Sequence, residues 1–146
     1  LLGIRQDFQI IALAGKNAKL LAELQKIAAE HPARVFPLGF TNTIERVMAA
    51  SDIAITKSGG LTTAECVAMG LPMIVVSPIP GQEERNADFL LEHGAGMKAY
   101  DEAGLEFRVR EMLANRDKLL VMRNNALKLG KPRAAENILE LVMREN

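Results

Sequence analysis

The sequence predicts an α/β fold, a Rossmann-like parallel sheet flanked by helices. Three observations carry this. Short apolar runs of strand length alternate with helix-periodic segments through the first two-thirds of the chain, the pattern of βαβ units. One run, Met73–Val76, is apolar at every position, as in a strand covered on both faces. Glycines stand where strands hand over to helices and where helices stop, the positions at which the chain needs tight turns or left-handed caps.

Each element follows in order. Residues 8–14 (FQIIALA) form a strand ending at Gly15. Asn17 can cap the next helix, in which Leu20, Leu21, Leu24, Ile27 and Ala28 share one face until Pro32 stops it. Residues 34–38 are a second strand, weakened by Pro37 and ending at Gly39. Thr43 caps a short helix with Ile44, Val47 and Met48 on its apolar side. Residues 52–56 are a third strand, followed by the tight turn Ser58-Gly59-Gly60 and a helix over 61–69 closed by Gly70. After the fourth strand, Met73–Val76, come a Pro/Gly-rich loop over 77–81 and a helix over 83–92, with Gly94 and Gly96 at its end. Gly96–Ala99 is a short fifth strand, and helices over 102–114, 117–129 and 133–144 complete the chain. No repeat, low-complexity stretch or linker interrupts it, so residues 1–146 read as one domain.

Composition excludes several function classes. Eighteen Lys and Arg balance eighteen Asp and Glu, so the basic excess that neutralises phosphate backbones is missing and no nucleic-acid partner is expected. Aromatics are 4% with no Trp, which argues against base-stacking platforms. The one cysteine, Cys66, leaves no internal disulfide framework or multi-cysteine zinc site and suits a reducing, cytoplasmic setting. No apolar run approaches the roughly 20 residues of a membrane span. The opening Leu1-Leu2-Gly3 lacks a methionine and a signal segment, and is expected to continue an element that began upstream.

In open parallel sheets ligands sit beyond the carboxyl ends of the strands, so candidate residues are sought there. The strongest segment is 56–65, TKSGGLTTAE. A strand ends, two glycines turn the chain and a helix begins, so the first helical amides and the positive end of the dipole converge where an anion could sit. Ser58 and Thr62 add hydroxyls. A plain β-to-α turn with Ser and Thr as caps accounts for the same pattern. Glu65, one turn further on, is either a solvated glutamate near a helix start or an acceptor for a ribose diol. Phosphate donors and a diol acceptor one turn apart point to a nucleotide. In the second segment, 78–87, Gln82, Glu83, Glu84 and Asn86 can read sugar hydroxyls, or form a polar first turn that suits the dipole. Phe40 and Thr41 after the second strand could meet a base, although a core phenylalanine fits as well. Gly15 and Asn17 are further contact candidates, with a helix cap the plainer reading. His31 and His93 suit helix C-termini, and neither has a partner at metal spacing.

Taken together, Ala50-Ser51-Asp52, Lys57-Ser58-Gly59-Gly60-Leu61-Thr62-x-x-Glu65 and Ala68-x-Gly70-Leu71-Pro72 resemble the C-terminal domain of GT-B glycosyltransferases. The group is the one holding the peptidoglycan N-acetylglucosaminyltransferase that makes lipid II and the diacylglycerol glycosyltransferases. Pro80-Gly81-Gln82-Glu83-Glu84-x-Asn86-Ala87 is similar to the monogalactosyl- and glucosyl-diacylglycerol synthases, and Gly15-Lys16-Asn17 and Gly39-Phe40 fall in register. The likeness covers residues 8 to 100. It implies a UDP-sugar donor domain, with Phe40 and Thr41 at the uracil and Ser58, Gly59, Gly60, Leu61 and Thr62 around the diphosphate. Glu65 would hold the ribose, and Gln82, Glu83, Glu84 and Asn86 would face the donor sugar. The reaction implied is inverting transfer of a hexose to a lipid acceptor such as diacylglycerol. UDP-sugar is the substrate, and no cofactor or metal is expected.

The resemblance also implies parts that this chain does not carry. The family's acceptor-binding domain, with the catalytic base, and the first strand of its C-terminal domain would precede Leu1. The chain alone is therefore expected to bind donor without turnover, and strand swapping or oligomerisation fits a sheet lacking that strand. Peripheral contact with the inner face of the membrane would come from the preceding domain. A second reading is a non-hydrolysing UDP-N-acetylglucosamine 2-epimerase, which shares the Ser-Gly-Gly turn. Thr63-Ala64-Glu65 and Pro80-Gly81-Gln82 stand here in place of that family's paired glutamates and Arg-Thr-Glu-Arg-Pro stretch, which disfavours it. A third is a non-catalytic nucleotide-binding module.

Overall fold

The structure, a computed structural model, describes residues 1–144. The chain divides into two compact units, Leu2–Val47 and, together with Leu1, Met48 onward.

The first unit is one βαβ crossover. Strands β1 (Ile10–Gly15) and β2 (Val35–Gly39) pair in parallel, Ile10 opposite Val35 and Leu13 opposite Leu38. Helix α1 (Ala18–Glu30) joins them and packs on both. Its start is closed as the sequence predicts, with the Leu20 N–H donating to Asn17 Oδ1 at 3.0 Å. Pro37, which has no N–H, is tolerated because β2 has a partner strand on one side only. β1 begins at Ile10, two residues later than the apolar run suggests. Phe8 lies instead under the Arg34 guanidinium, 4.7 Å from ring centre to Cζ. That guanidinium also donates to the carbonyls of Leu2 (3.3 Å), Ile4 (2.8 Å) and Gln6 (2.7 Å), so one cation gathers the whole segment before β1. Helix α2 (Ile44–Ala49) spans the change from one unit to the next. The Thr43 carbonyl accepts its first bond, from the Arg46 N–H at 3.0 Å.

The second unit holds a three-stranded parallel sheet in the order β3 (Ala54–Thr56), β4 (Met73–Val76), β5 (Gly96–Ala99). Helices α3 (Gly60–Ala68) and α4 (Gln82–Glu92) are the crossovers. Helices α5 (Glu102–Ala114), α6 (Arg116–Leu129) and α7 (Ala134–Arg144) follow. Met73, Ile74 and Val75 of β4 are essentially inaccessible, which is what an all-apolar central strand requires. The main core joins Cys66 and Val67 of α3, Met73 and Val75 of β4, Ala87 and Leu90 of α4, and Ala126 of α6. A second cluster, Met97, Met112 and Met122, fills the space between β5, α5 and α6.

Helices α3 and α4 end alike. Gly70 (φ 64°) and Gly94 (φ 63°) are left-handed. The Leu71 N–H reaches back to Cys66 O at 2.8 Å, and the Ala95 N–H to Leu90 O at 2.9 Å. These are Schellman closures, and each turns the chain directly into the next buried strand. Between α5 and α6, Glu111 bonds to Lys118 and Arg108. The Lys118 hydrogen bond holds the Glu111 carboxyl below its ordinary range, with Arg108 adding to the effect. Helix α7 is two-sided: Glu136 and Glu140 pair with Arg133 and Arg144, while Ile138, Leu139, Leu141, Val142 and Met143 are exposed.

Candidate functional site

In the second unit the carboxyl ends of β3 and β4 open onto the starts of α3 and α4. Gly59 is the N-cap of α3 and, having no side chain, offers it no capping bond. The first helical bond is the Thr63 N–H to Gly59 O at 2.8 Å. The N–H groups of Gly60, Leu61 and Thr62 have no partner among the described residues. Three unpaired amides at the positive end of a helix make a place where an anionic group is favoured. Gly60 and Leu61 are exposed, Leu61 at 83%. Glu65 is also exposed. Helical spacing sets it on the side of Leu61 and Thr62, four and three residues before it, and helical side chains lean toward the N-terminus.

Ser58 differs from its neighbours in being wholly buried. Its hydroxyl donates to the Glu83 carbonyl at 2.6 Å, and its own carbonyl accepts from Asn86 Nδ2 at 2.8 Å. The first turn of α4 is thereby tied to the α3 turn. Gln82 and Glu83 stand over the glycines: a methyl group on Gly60 would lie 3.5 Å from Gln82 Nε2, and one on Gly59 4.0 Å from Glu83 Oε1. The other carboxylate oxygen of Glu83 accepts from the Ile79 N–H at 2.6 Å, closing the loop before α4. Glu84 is exposed. The structure thus brings together Ser58, Gly59, Gly60, Gln82, Glu83 and Asn86, with Leu61, Thr62 and Glu65 on the same helix start.

Sequence reasoning missed two features here. Ser77, just after β4, has φ 44°, a left-handed conformation that is uncommon outside glycine. Thr63 Oγ1 is buried without a hydrogen-bond partner. Neither has a sequence signal, because both depend on the path of the backbone around them.

In the first unit Phe40 is 62% exposed, so it is not a core residue. Lys16 Nζ lies 5.1 Å from its ring centre, which joins the loop after β1 to the end of β2. Gly15 is left-handed at φ 57°. Asn17 acts as the helix cap, and Thr41 Oγ1 accepts from the Thr43 N–H at 3.1 Å. Among the described residues no group of three or more His, Cys, Asp or Glu could hold a metal ion, and no helix is long and apolar enough to cross a membrane.

Comparison with known proteins gives this geometry a family. Processive diacylglycerol beta-glucosyltransferase of Bacillus subtilis (strain 168) is 33% identical over 138 residues, 94% of this chain and 36% of that protein. The enzyme of the same name from Bacillus pumilus (strain SAFR-032) is 32% identical over 140 residues, 96% of this chain and 37% of that protein. The chain therefore spans a little over a third of the length of these relatives. Among solved structures, MurG of Acinetobacter baumannii superposes with a TM-score of 0.74 at 20% identity, covering 95% of this chain and 42% of that one. Alr3699/HepE of Anabaena, solved in complex with UDP, gives 0.64 at 21% identity, covering 93% of this chain and 41% of that one. These likenesses establish the α/β fold of the GT-B glycosyltransferases. Residues 1–138 match the glycosyltransferase family 28 C-terminal domain along its sequence, and the chain belongs to that family.

Proposed function

We propose that this chain is the donor-nucleotide-binding half of an inverting UDP-sugar glycosyltransferase that transfers a hexose to a lipid acceptor such as diacylglycerol. The observation that carries the reading is the start of α3, where the N–H groups of Gly60, Leu61 and Thr62 are unpaired and Glu65 follows one turn later. The diphosphate sits on those amides, with Gly59 leaving room for its approach. The Glu65 carboxylate accepts from the two ribose hydroxyls. Gln82 and Glu84, at the start of α4, face the donor sugar. The names of the relatives, diacylglycerol glucosyltransferases, support the lipid acceptor and the hexose.

On this reading the chemistry of the donor half is electrostatic. As the bond from sugar to UDP breaks, negative charge grows on the leaving diphosphate, and the α3 N-terminus is already oriented to receive it. The base that takes the acceptor proton belongs to a preceding domain. That domain also supplies the peripheral contact with the inner face of the membrane, in a cytoplasmic protein.

A calorimetric titration of UDP tests the reading, with ADP as the control ligand and Glu65→Ala as the control variant. Saturable binding of UDP but not ADP is expected. Loss of a charge-assisted diol contact of about 1.5–3 kcal/mol should weaken UDP roughly tenfold or more in the variant. A folded wild-type chain that binds no UDP would sink the proposal. Unchanged affinity in Glu65→Ala would remove the ribose role from that residue.

A further inference from the structure

The residues around Ser58 divide into anchored and unanchored parts. Helix α4 is fixed in the core by Ala87 and Leu90, and α3 by Cys66 and Val67. The turn between β3 and α3 has no such anchor of its own, since Lys57, Gly60 and Leu61 are exposed and only Ser58 is fully buried. The Ser58 carbonyl takes no part in the α3 ladder, which starts at Gly59 O. What holds it is Asn86 Nδ2 at 2.8 Å, while the Ser58 hydroxyl is engaged by the Glu83 carbonyl at 2.6 Å. Both polar groups of the turn's one buried residue therefore bond to α4. The second bond also fixes where the Ser58 proton is. The hydroxyl donates to a backbone carbonyl, so its hydrogen does not point at an incoming phosphate.

We propose that Asn86 and Ser58 are positioning residues for the diphosphate turn. The proposal rests on the donor-site reading above. Asn86 acts through the Ser58 carbonyl, setting the direction of the Gly60, Leu61 and Thr62 amides. The bond from Ser58 to Glu83 keeps the first turn of α4 over Gly59 and Gly60. The two bonds join the same two segments, so breaking either releases much of what breaking both would release.

The test separates a residue that shapes the nucleotide site from one that reads the sugar. UDP and UDP-glucose are titrated into the wild-type chain, Asn86→Ala, Asn86→Leu, Ser58→Ala and the double variant Ser58→Ala/Asn86→Ala. All titrations are run well below the unfolding midpoint of each protein. Asn86→Leu keeps the bulk of the side chain and removes its donor, so a space-filling role would leave it near wild type. In each single variant UDP is expected to weaken about tenfold, the scale of one lost hydrogen bond to a buried carbonyl or hydroxyl. UDP-glucose should weaken by the same factor, leaving the ratio of the two affinities unchanged. The double variant should be weaker than wild type by much less than the product of the two single losses.

The inference is overturned if Asn86→Leu binds UDP as wild type does and loses only UDP-glucose, which would make Asn86 a sugar contact. It is overturned for Ser58 if the losses multiply in the double variant. If Asn86→Ala fails to fold, Asn86→Leu and Ser58→Ala carry the same comparison. A folded wild-type chain that binds neither ligand defeats the donor-site reading itself. That outcome is distinct from wild-type binding that the variants leave untouched.

Discussion

Cys66 lies in α3 with no accessible surface. Burial, with the Glu65 carboxylate beside it in sequence adding to the effect, pushes its thiol up from 9.0 to about 11. The reactive species is the thiolate, so Cys66 should resist iodoacetamide at pH 8 in the folded chain and be alkylated readily in urea. Fast stoichiometric labelling of the native chain would contradict this. The raised value also fixes a sign. The unfolded thiol ionises near 9.0 and the folded one only near 11, so the contribution of Cys66 to stability is complete below pH 9 and is lost as the pH rises to 11. Wild type should accordingly lose more of its unfolding midpoint over that window than Cys66→Ala does. At this scale the sequence was partly legible. The turn at 58–62 and Glu65 could be placed because a glycine pair before a helix start has a fixed geometric meaning. The bonds of Ser58, Glu83 and Asn86 could not, since each depends on where α4 comes to rest against another helix. The exposure of Phe40 was equally hidden, because an aromatic after a strand looks the same in sequence whichever way it faces.

Among the elements, α6 is held to α3 by a close approach rather than by interlocking side chains alone. A methyl group on Gly130 would come within 2.7 Å of Ala68 Cα and Val67 O, backbone atoms that cannot swing aside. Gly130→Ala is therefore expected to lift the end of α6 from α3. It should cost about 1–3 kcal/mol, as overpacking of a filled interface does. At about 4–8 °C per kcal/mol for a unit of this size, thermal unfolding should show a clear fall in Tm. Gly3→Ala is the control, since nothing lies within 4 Å of its added methyl. An unchanged Tm for Gly130→Ala would mean that the two helices separate at little cost. Most element boundaries were readable to within one residue, because caps and stops are local signals: Asn17 and Gly70 each act within a few residues. The start of β1 was not, since it is set by Arg34, more than twenty residues downstream of Phe8.

For the molecule as a whole, the two units differ in how much they bury. Around β4 a contiguous core joins α3, α4, α6 and the sheet. In the first unit α1 has no fully buried residue, and Ile4, Ala14 and Val35 are the apolar side chains that are nearly or wholly inaccessible. Small units with little buried surface are marginal, and local opening free energies follow the density of buried contacts. Native-state hydrogen exchange should therefore protect Met73–Val76 and Gly96–Ala99 far more strongly than Ile10–Gly15 and Val35–Gly39. Equal protection of both sheets would show that the chain opens as a single cooperative body. The alternation of strands and helices made the fold class readable. This difference in depth of burial was not, because β1 is as apolar in sequence as β4.

The unpaired amides of Gly60, Leu61 and Thr62 have one more consequence, for the link between occupancy and folding. An unfolded chain cannot hold three N–H groups converging on one point, so any anion they capture binds the folded state alone. By mass action such a ligand, present at a hundred times its dissociation constant, adds about 2.7 kcal/mol to the stability of the unit that binds it. The turn that leaves α3 open at its start thus ties the folded population of this unit to the supply of any anion it captures.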